Sequence, residues 1–200
     1  PRFNVNLRVI DDETEAAVPD ATFVLLDDDN QMISRQTDAE GRISLLGVFT
    51  GNYDLYVTEW GYLTEERRSV NPAELTDVTI RLQRGYMDDF VTDEGWTIIN
   101  GAERGNWERG VPVGSQYGTL PFAAPTDAPG DIGRQSYFTG NASVNSSAGT
   151  NDVDGGTTTL TSPVFRALPQ QDSLVVNYQY WFVNAGGDVP LNDPTRVSLT

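Results

Sequence analysis

The run Asn151-Asp152-Val153-Asp154-Gly155-Gly156 carries the strongest chemical pattern in this sequence of 200 residues. Alternating oxygen-bearing side chains with glycines behind them let a loop fold around a hard cation, which takes about six to eight carboxylate and carbonyl oxygens. Calcium is the expected ion, with Asp152, Asp154 and Asn151 as first ligands, Asn141 and Asp89 next, and Asp127, Asp131 and Asp193 in reserve. The run is not an EF-hand, because the twelfth-position Glu and the flanking helices are missing. The same residues also suit an Asx-turn loop that satisfies only its own backbone. Both readings stay open on the residues alone.

Three further groups could do chemistry. The acid pairs Glu65-Glu66, Asp88-Asp89 and Glu103/Glu108 could in principle cleave a glycosidic bond, which needs two carboxyls about 5–5.5 or 6.5–9.5 Å apart across a cleft. With 29 acidic groups in the chain such pairs arise by chance, and no enzymatic activity is expected. Trp96, Trp107, Tyr117, Phe122, Tyr180 and Trp181 could stack on sugar faces. Tyr178, Tyr180 and Phe182 alternate along one stretch with Trp181 facing the other way, so at least one of these faces is expected in a core. Arg109 is expected to fork onto a buried acid or onto loop carbonyls. Asn141-Ala142-Ser143 and Asn145-Ser146-Ser147 fit the glycosylation acceptor pattern, which matters only in a glycosylating host.

Composition removes most other chemistry. Cysteine, histidine and lysine are absent, and all 13 basic residues are arginine. No disulfide, thiolate, Cys or His zinc site, Ser-His-Asp triad or Schiff base can be built. The formal charge is −16, so neither nucleic acid nor an anionic membrane surface is an expected partner. No apolar run approaches the ~20 residues of a membrane span, and membrane insertion is not expected. Pro1 suggests a processed or excised piece. Strong acidity without lysine suits a salty, calcium-containing exterior, where cations screen self-repulsion.

The elements that would position these groups are strands. Phe3, Val5, Leu7 and Val9 alternate with polar residues, as on a strand with one buried face. Phe23 to Leu26, Ile43 to Leu46, Tyr53 to Val57 and Val78 to Leu82 follow between turn signals every 8–12 residues, which predicts an antiparallel β-sandwich of seven short strands over 1–84. Asp27-Asp28-Asp29-Asn30 reads as a solvated hairpin tip. Gly85-Tyr86 marks a short join to a second module over 86–200. Its long loop region, Asn100 to Gly156, holds a strand-like Gln135 to Thr139. Thr157 to Ser162 and Ser173 to Val183 read as buried strands, and Thr195 to Leu199 opens another. This second sandwich is therefore expected to be incomplete, its remaining strands truncated or donated by a neighbour.

In the first module, Val18-Pro19-Asp20-Ala21, Thr37-Asp38-Ala39-Glu40-Gly41, Gly51-Asn52-Tyr53-Asp54-Leu55 and Gly61-Tyr62 resemble, in order, a carboxypeptidase regulatory-like domain. That resemblance implies a transthyretin-like sandwich serving as a non-catalytic spacer. In the second, Asp88-Asp89-Phe90, Gly95-Trp96-Thr97, Trp107 to Pro112, Thr139-Gly140-Asn141, Asn151 to Gly156, Leu160 to Pro163 and Tyr180-Trp181 resemble the jelly rolls of secreted bacterial peptidases and surface proteins. They are more distantly similar to MAM domains and cleaved-adhesin domains. Those relatives are non-enzymatic and often hold a structural calcium, which tips the Asn151–Gly156 run toward the cation. One departure stands out: many relatives have Glu after the first-strand Phe, where this chain has Val91. A ligand role there would pass to Asp88 or Asp89.

The resulting expectation is an all-β chain, a transthyretin-like antiparallel sandwich followed by an incomplete jelly roll. Its function would be that of a non-catalytic extracellular structural or adhesive module pair, secreted or on a cell surface and stabilised by calcium. Partners would be neighbouring domains or copies of the same chain, joined through β-strand edges as in a self-assembling fibre, with glycans as a further class. The alternative is a carbohydrate- or substrate-binding accessory region of a secreted metallopeptidase.

Overall fold

The computed structural model describes residues 1–141, 143, 146, 149–150, 152–166, 175–184 and 194–199. The chain divides into two compact units, Pro1–Asp88 with Val164–Ser173 and Asp89–Pro163 with Leu174–Thr200. Among the described residues its regular elements are strands, apart from one short 3-10 turn at Pro72–Glu74.

The first unit has seven strands: β1 (Arg2–Asp11), β2 (Thr22–Asp27), β3 (Met32–Gln36), β4 (Arg42–Phe49), β5 (Tyr53–Thr58), β6 (Glu65–Val70) and β7 (Val78–Leu82). They form a three-stranded sheet in the order β4-β1-β7 and a four-stranded sheet in the order β3-β2-β5-β6. All ladders are antiparallel except β1 with β7, which run parallel. The period-2 pattern buries Val5, Leu7 and Val9 of β1 and Ile43 and Leu45 of β4. A strict alternation would then point Val48 outward. Instead the ladder shifts register between Phe3 and Val5, Gly47 takes φ of +72°, and its N–H donates to Asn4 Oδ1 at 3.2 Å. This bulge rephases β4, so Val48 turns into the core while Leu46 and Phe49 face solvent. Phe23, Leu25, Leu55, Val57, Ile80 and Leu82 complete a core with no exposed surface at all six positions.

The unit is completed by a later stretch of chain. Phe165 packs with ring centroids 4.9 Å from Trp60 and 5.0 Å from Tyr86. Trp60 Nε1 donates to Val164 O at 3.0 Å, and the Tyr86 hydroxyl accepts from Arg166 N at 2.7 Å. The segment 164–166 thus acts as a strap over the end of the first sandwich.

The second unit is built of paired strands rather than broad sheets. The ladders are β8 (Thr97–Asn100) with β13 (Thr158–Thr161), β9 (Trp107–Gly110) with β12 (Ser136–Thr139), and β10 (Ser115–Tyr117) with β11 (Leu120–Ala123). Among the described residues, Pro112 and Ile132 are this unit's buried apolar side chains. The expected strand at Ser173 to Val183 differs: residues 175–184 carry no strand, and Tyr178, Tyr180, Trp181 and Phe182 are exposed. Residues 194–199 likewise carry no strand. The physical reason lies in pairing, since a β-prone stretch becomes a strand only against another edge that takes its N–H and C=O groups.

Candidate functional site

The fold distributes the candidate ligands over three places. Asp154 lies opposite Arg104 in an isolated bridge, exchanging backbone bonds with it, and its carboxylate forms an ion pair with that guanidinium. Asp152 is exposed, and its carboxylate lies 3.7 Å from where a Cβ on Gly149 would stand. Asn141 is spent on backbone: its Oδ1 accepts from Val113 N at 3.0 Å and its Nδ2 donates to Val111 O at 2.8 Å. Asn151 lies outside the described residues, as does Asp193. The loop thus presents Asp154 as the partner of an arginine, which competes with any cation for that carboxylate.

Asp89 is elsewhere, and it has acidic company. Its Oδ2 accepts from Ile132 N at 3.0 Å, which ties the start of the unit to the loop 127–133. That loop brings Asp127 and Asp131 near enough for each to feel the Asp89 charge. All three carboxyls are pushed above the ordinary aspartate value: burial is the main cause for each, and mutual repulsion adds to it for Asp127 and Asp131. Asp127 Oδ1 accepts from Ala128 N at 2.9 Å, whereas its Oδ2 is buried with no hydrogen-bond partner. A buried carboxylate oxygen without a donor costs free energy unless something positive reaches it. Among the described residues no three acidic side chains converge tightly enough to hold a metal by themselves.

Why these three meet is readable in the local packing. Gly133 has φ of +76°, and a Cβ there would lie 2.2 Å from Val91 Cγ2, so the loop lies directly on Val91. A Val at position 91 fills apolar space at that crossing, and the acid next to the loop is Asp89, two residues earlier. Arg109 fixes the same segment from the other side. Its Nη1 donates to Phe90 O at 2.8 Å, to Gln135 Oε1 at 2.6 Å and to Val91 O at 3.4 Å. Phe90, Trp96 and Tyr137 pack edge-on around this point, with Phe90 centroids 5.6 and 5.1 Å from the other two rings. The sequence pattern named these acids singly. That loop 127–133 folds back onto 89–91 has no local signal.

Each acid pair considered for catalysis has at least one member occupied structurally, Asp89 as described above. Glu65 pairs with Arg67, and Glu66 with Arg68. Glu108 Oε1 accepts from Asn141 N. The exposed aromatic pairs are not flat platforms: Tyr178 and Tyr180 are tilted by 44°, and Tyr117 and Phe122 by 59°.

The first unit contains a polar centre that the motif search passed over. Asp11 is 1% exposed, at the end of β1 on the same inward phase as Val5, Leu7 and Val9. Its Oδ2 accepts from Arg84 Nε at 2.7 Å and from the Tyr62 hydroxyl at 3.1 Å. Its Oδ1 accepts from Thr14 N at 2.8 Å and Glu13 N at 3.0 Å. Burial pushes this carboxyl up, but the Arg84 guanidinium and the Thr14 donors outweigh it and hold the group well below the usual range. Burial and the Asp11 charge push the Tyr62 phenol up. The charge interrupting the apolar phase of β1 was the available signal.

Solved structures and one family are similar to parts of this chain. A pilus backbone protein of group B Streptococcus is 20% identical over 42% of this chain and 42% of its own, with a TM-score of 0.32. A shaft pilin of Lactobacillus rhamnosus GG is 11% identical over 44% and 48%, TM-score 0.31. A candidate carbohydrate-binding protein of Bacteroides uniformis is 10% identical over 55% and 50%, TM-score 0.32. The chain spans half or less of each, and scores this low carry no argument about function. No curated protein matches the sequence. The family comparison is more direct: residues 4–83, from β1 through β7, match the carboxypeptidase regulatory-like domain.

Proposed function

We propose that this chain is a non-catalytic structural module pair of a secreted or surface protein. The first sandwich serves as a rigid spacer, and the second unit is closed by a hard cation, calcium by its ligand chemistry. The observation that carries the reading is the grouping of Asp89, Asp127 and Asp131, with one Asp127 oxygen buried and unpartnered. Oxygen donors of like charge, partly withdrawn from water, suit a divalent hard ion and nothing softer. Such an ion would supply the attraction that draws the three carboxylates in against their repulsion, with loop carbonyls completing its shell. On this reading the site lies at the 127–133 loop rather than at Asp152 and Asp154.

The spacer role is supported by how the first unit spends its polar groups. Thr37 Oγ1 donates to Val18 O at 2.8 Å and accepts from Ala21 N at 2.9 Å. Asp11 is committed to four donors. Each of these side chains holds backbone or a neighbour, and neither is left to move a proton.

The test is calcium binding by isothermal titration to the full chain and to Asp127→Asn. The reading expects one site in the wild type and a binding constant at least tenfold weaker in the variant. Equal binding by Asp127→Asn, with loss in Asp152→Ala, would return the site to the Asn151–Gly156 loop. No binding by the wild type would end the calcium reading.

A further inference from the structure

The outer face of the sheet β4-β1-β7 has a charge opposite to that of the chain. Of the first sandwich's arginines, Arg67, Arg68, Arg81 and Arg84 all pair with acids. Arg2, Arg8, Arg35 and Arg42 do not, and of these Arg8 and Arg42 stand directly across from one another in the β1–β4 ladder. Like charges at opposed positions destabilise a sheet, and an anion approaching from outside relieves that repulsion. Of the acids next to Arg42 in sequence, Asp38 has its Oδ1 committed to the Glu40 and Arg42 backbone amides, and Glu40 is exposed and forms no ion pair with either arginine.

The same face continues along β1 for about 20 Å at ~3.3 Å per residue. Ser44 Oγ donates to Asn6 Oδ1 at 2.8 Å, Leu46 is 81% exposed, and Phe49 is 60% exposed beneath the Arg2 guanidinium, 4.3 Å from its ring centroid. Arginine, an aromatic ring and an aliphatic side chain standing together on a flat sheet have the composition of a protein interface core. Leu46 offers nothing to a sugar or phosphate chain, so the occupant is a protein surface with projecting carboxylates.

This molecule has such a projection. At the β2–β3 hairpin tip Asp27 turns its carboxylate inward, accepting from Asp29 N at 3.0 Å and Gln31 N at 2.7 Å. Asp28 and Asp29 stand exposed beside it and form no ion pair. We propose that the Asp28-Asp29 tip of a second copy docks on the Arg8/Arg42 face, with Leu46 and Phe49 packing against the body of that hairpin. Tip and face are different surfaces, so the contact is heterologous and repeats into a filament unless the rotation closes a ring. The inference rests on the structural-module reading and names its partner.

The experiment is sedimentation velocity on the full chain over a rising concentration series, at about 0.15 M and about 1 M salt, where the screening length falls from ~8 to ~3 Å. Wild type is expected to associate at the lower salt and to dissociate at the higher. Arg8→Glu/Arg42→Glu and Asp28→Arg/Asp29→Arg are each expected to weaken association at least tenfold, and mixing the two variants is expected to restore it as a heterologous pair. All four sites are exposed, and circular dichroism of each variant verifies that it folds. A wild type that stays monomeric throughout would overturn the docking while leaving the calcium titration to judge the module reading. Association indifferent to the arginine variant would overturn it too, as would a monomer that instead binds polygalacturonate through Arg8 and Arg42.

Discussion

Replacing Asp11 with alanine should destabilise the first sandwich by about 3 kcal/mol. The side chain is 1% exposed and receives four donors, so its removal strands three groups in partly buried hydrogen bonds: the Thr14 and Glu13 amides and the Tyr62 hydroxyl. Each lost bond to a charged acceptor costs about 1–1.5 kcal/mol when the donor is partly rehydrated. Arg84 sits at the surface and finds water instead, so it adds nothing to that figure. For a domain of this size about 3 kcal/mol lowers the midpoint by roughly 12–24 °C. Asp11→Asn keeps an acceptor for the turn amides and should cost about half as much. The assay is native-state hydrogen exchange on the full chain, read at core amides such as Val9 and Val57, which belong to the first unit. A loss under about 0.5 kcal/mol at these amides in Asp11→Ala would refute the claim that this carboxylate holds the strand ends together.

The sign of the pH dependence separates the two units. Asp11 is held below its ordinary value of 3.8, so its contribution is complete above that pH and is lost as the pH falls below it. Asp89, Asp127 and Asp131 are pushed above 3.8, so in chelator the second unit should lose stability as the pH rises past that value, and calcium should remove the loss. Scanning calorimetry at about pH 2.5, 4.5 and 7 reads both trends: the first unit's loss between about 4.5 and 2.5, the second unit's between about 4.5 and 7. Gly41→Ala should cost about 3 kcal/mol or more, because φ is +72° and the new Cβ would lie 2.4 Å from Val9 O. Thr37→Val should cost about 2 kcal/mol through the orphaned Ala21 amide and Val18 carbonyl, and urea unfolding measures both.

The first sandwich was legible because its signal is local. Val5, Leu7 and Val9 alternate, the turns carry their Gly and Asp, and a buried face follows from period alone. What the period could not show was the bulge at Gly47, which shifts Val48 inward, or the parallel pairing of β7 with β1, which depends on a distant edge. In the second unit the signal is not local. Val175 to Val183 has strand composition, yet no described partner edge lies against it, and its aromatics are exposed. The Asn151–Gly156 run looked like a ligand loop by spacing, but Arg104, fifty residues before Asp154, occupies that carboxylate. Asp89, Asp127 and Asp131 were readable as acids. Their meeting depends on Gly133 lying against Val91, a contact between segments some forty residues apart that leaves no periodic trace.

Thermal unfolding of the full chain, in excess calcium and then in chelator, decides whether a cation closes the second unit. Trp96, Trp107 and Trp181 report the second unit, while Trp60 under its strap reports the first. At about 100-fold excess over Kd a cation bound only to the native state adds about 2.7 kcal/mol. The account predicts that calcium raises the transition seen by the second-unit tryptophans, leaves that of Trp60 in place, and loses its effect in Asp127→Asn. Superimposable curves with and without calcium would contradict it.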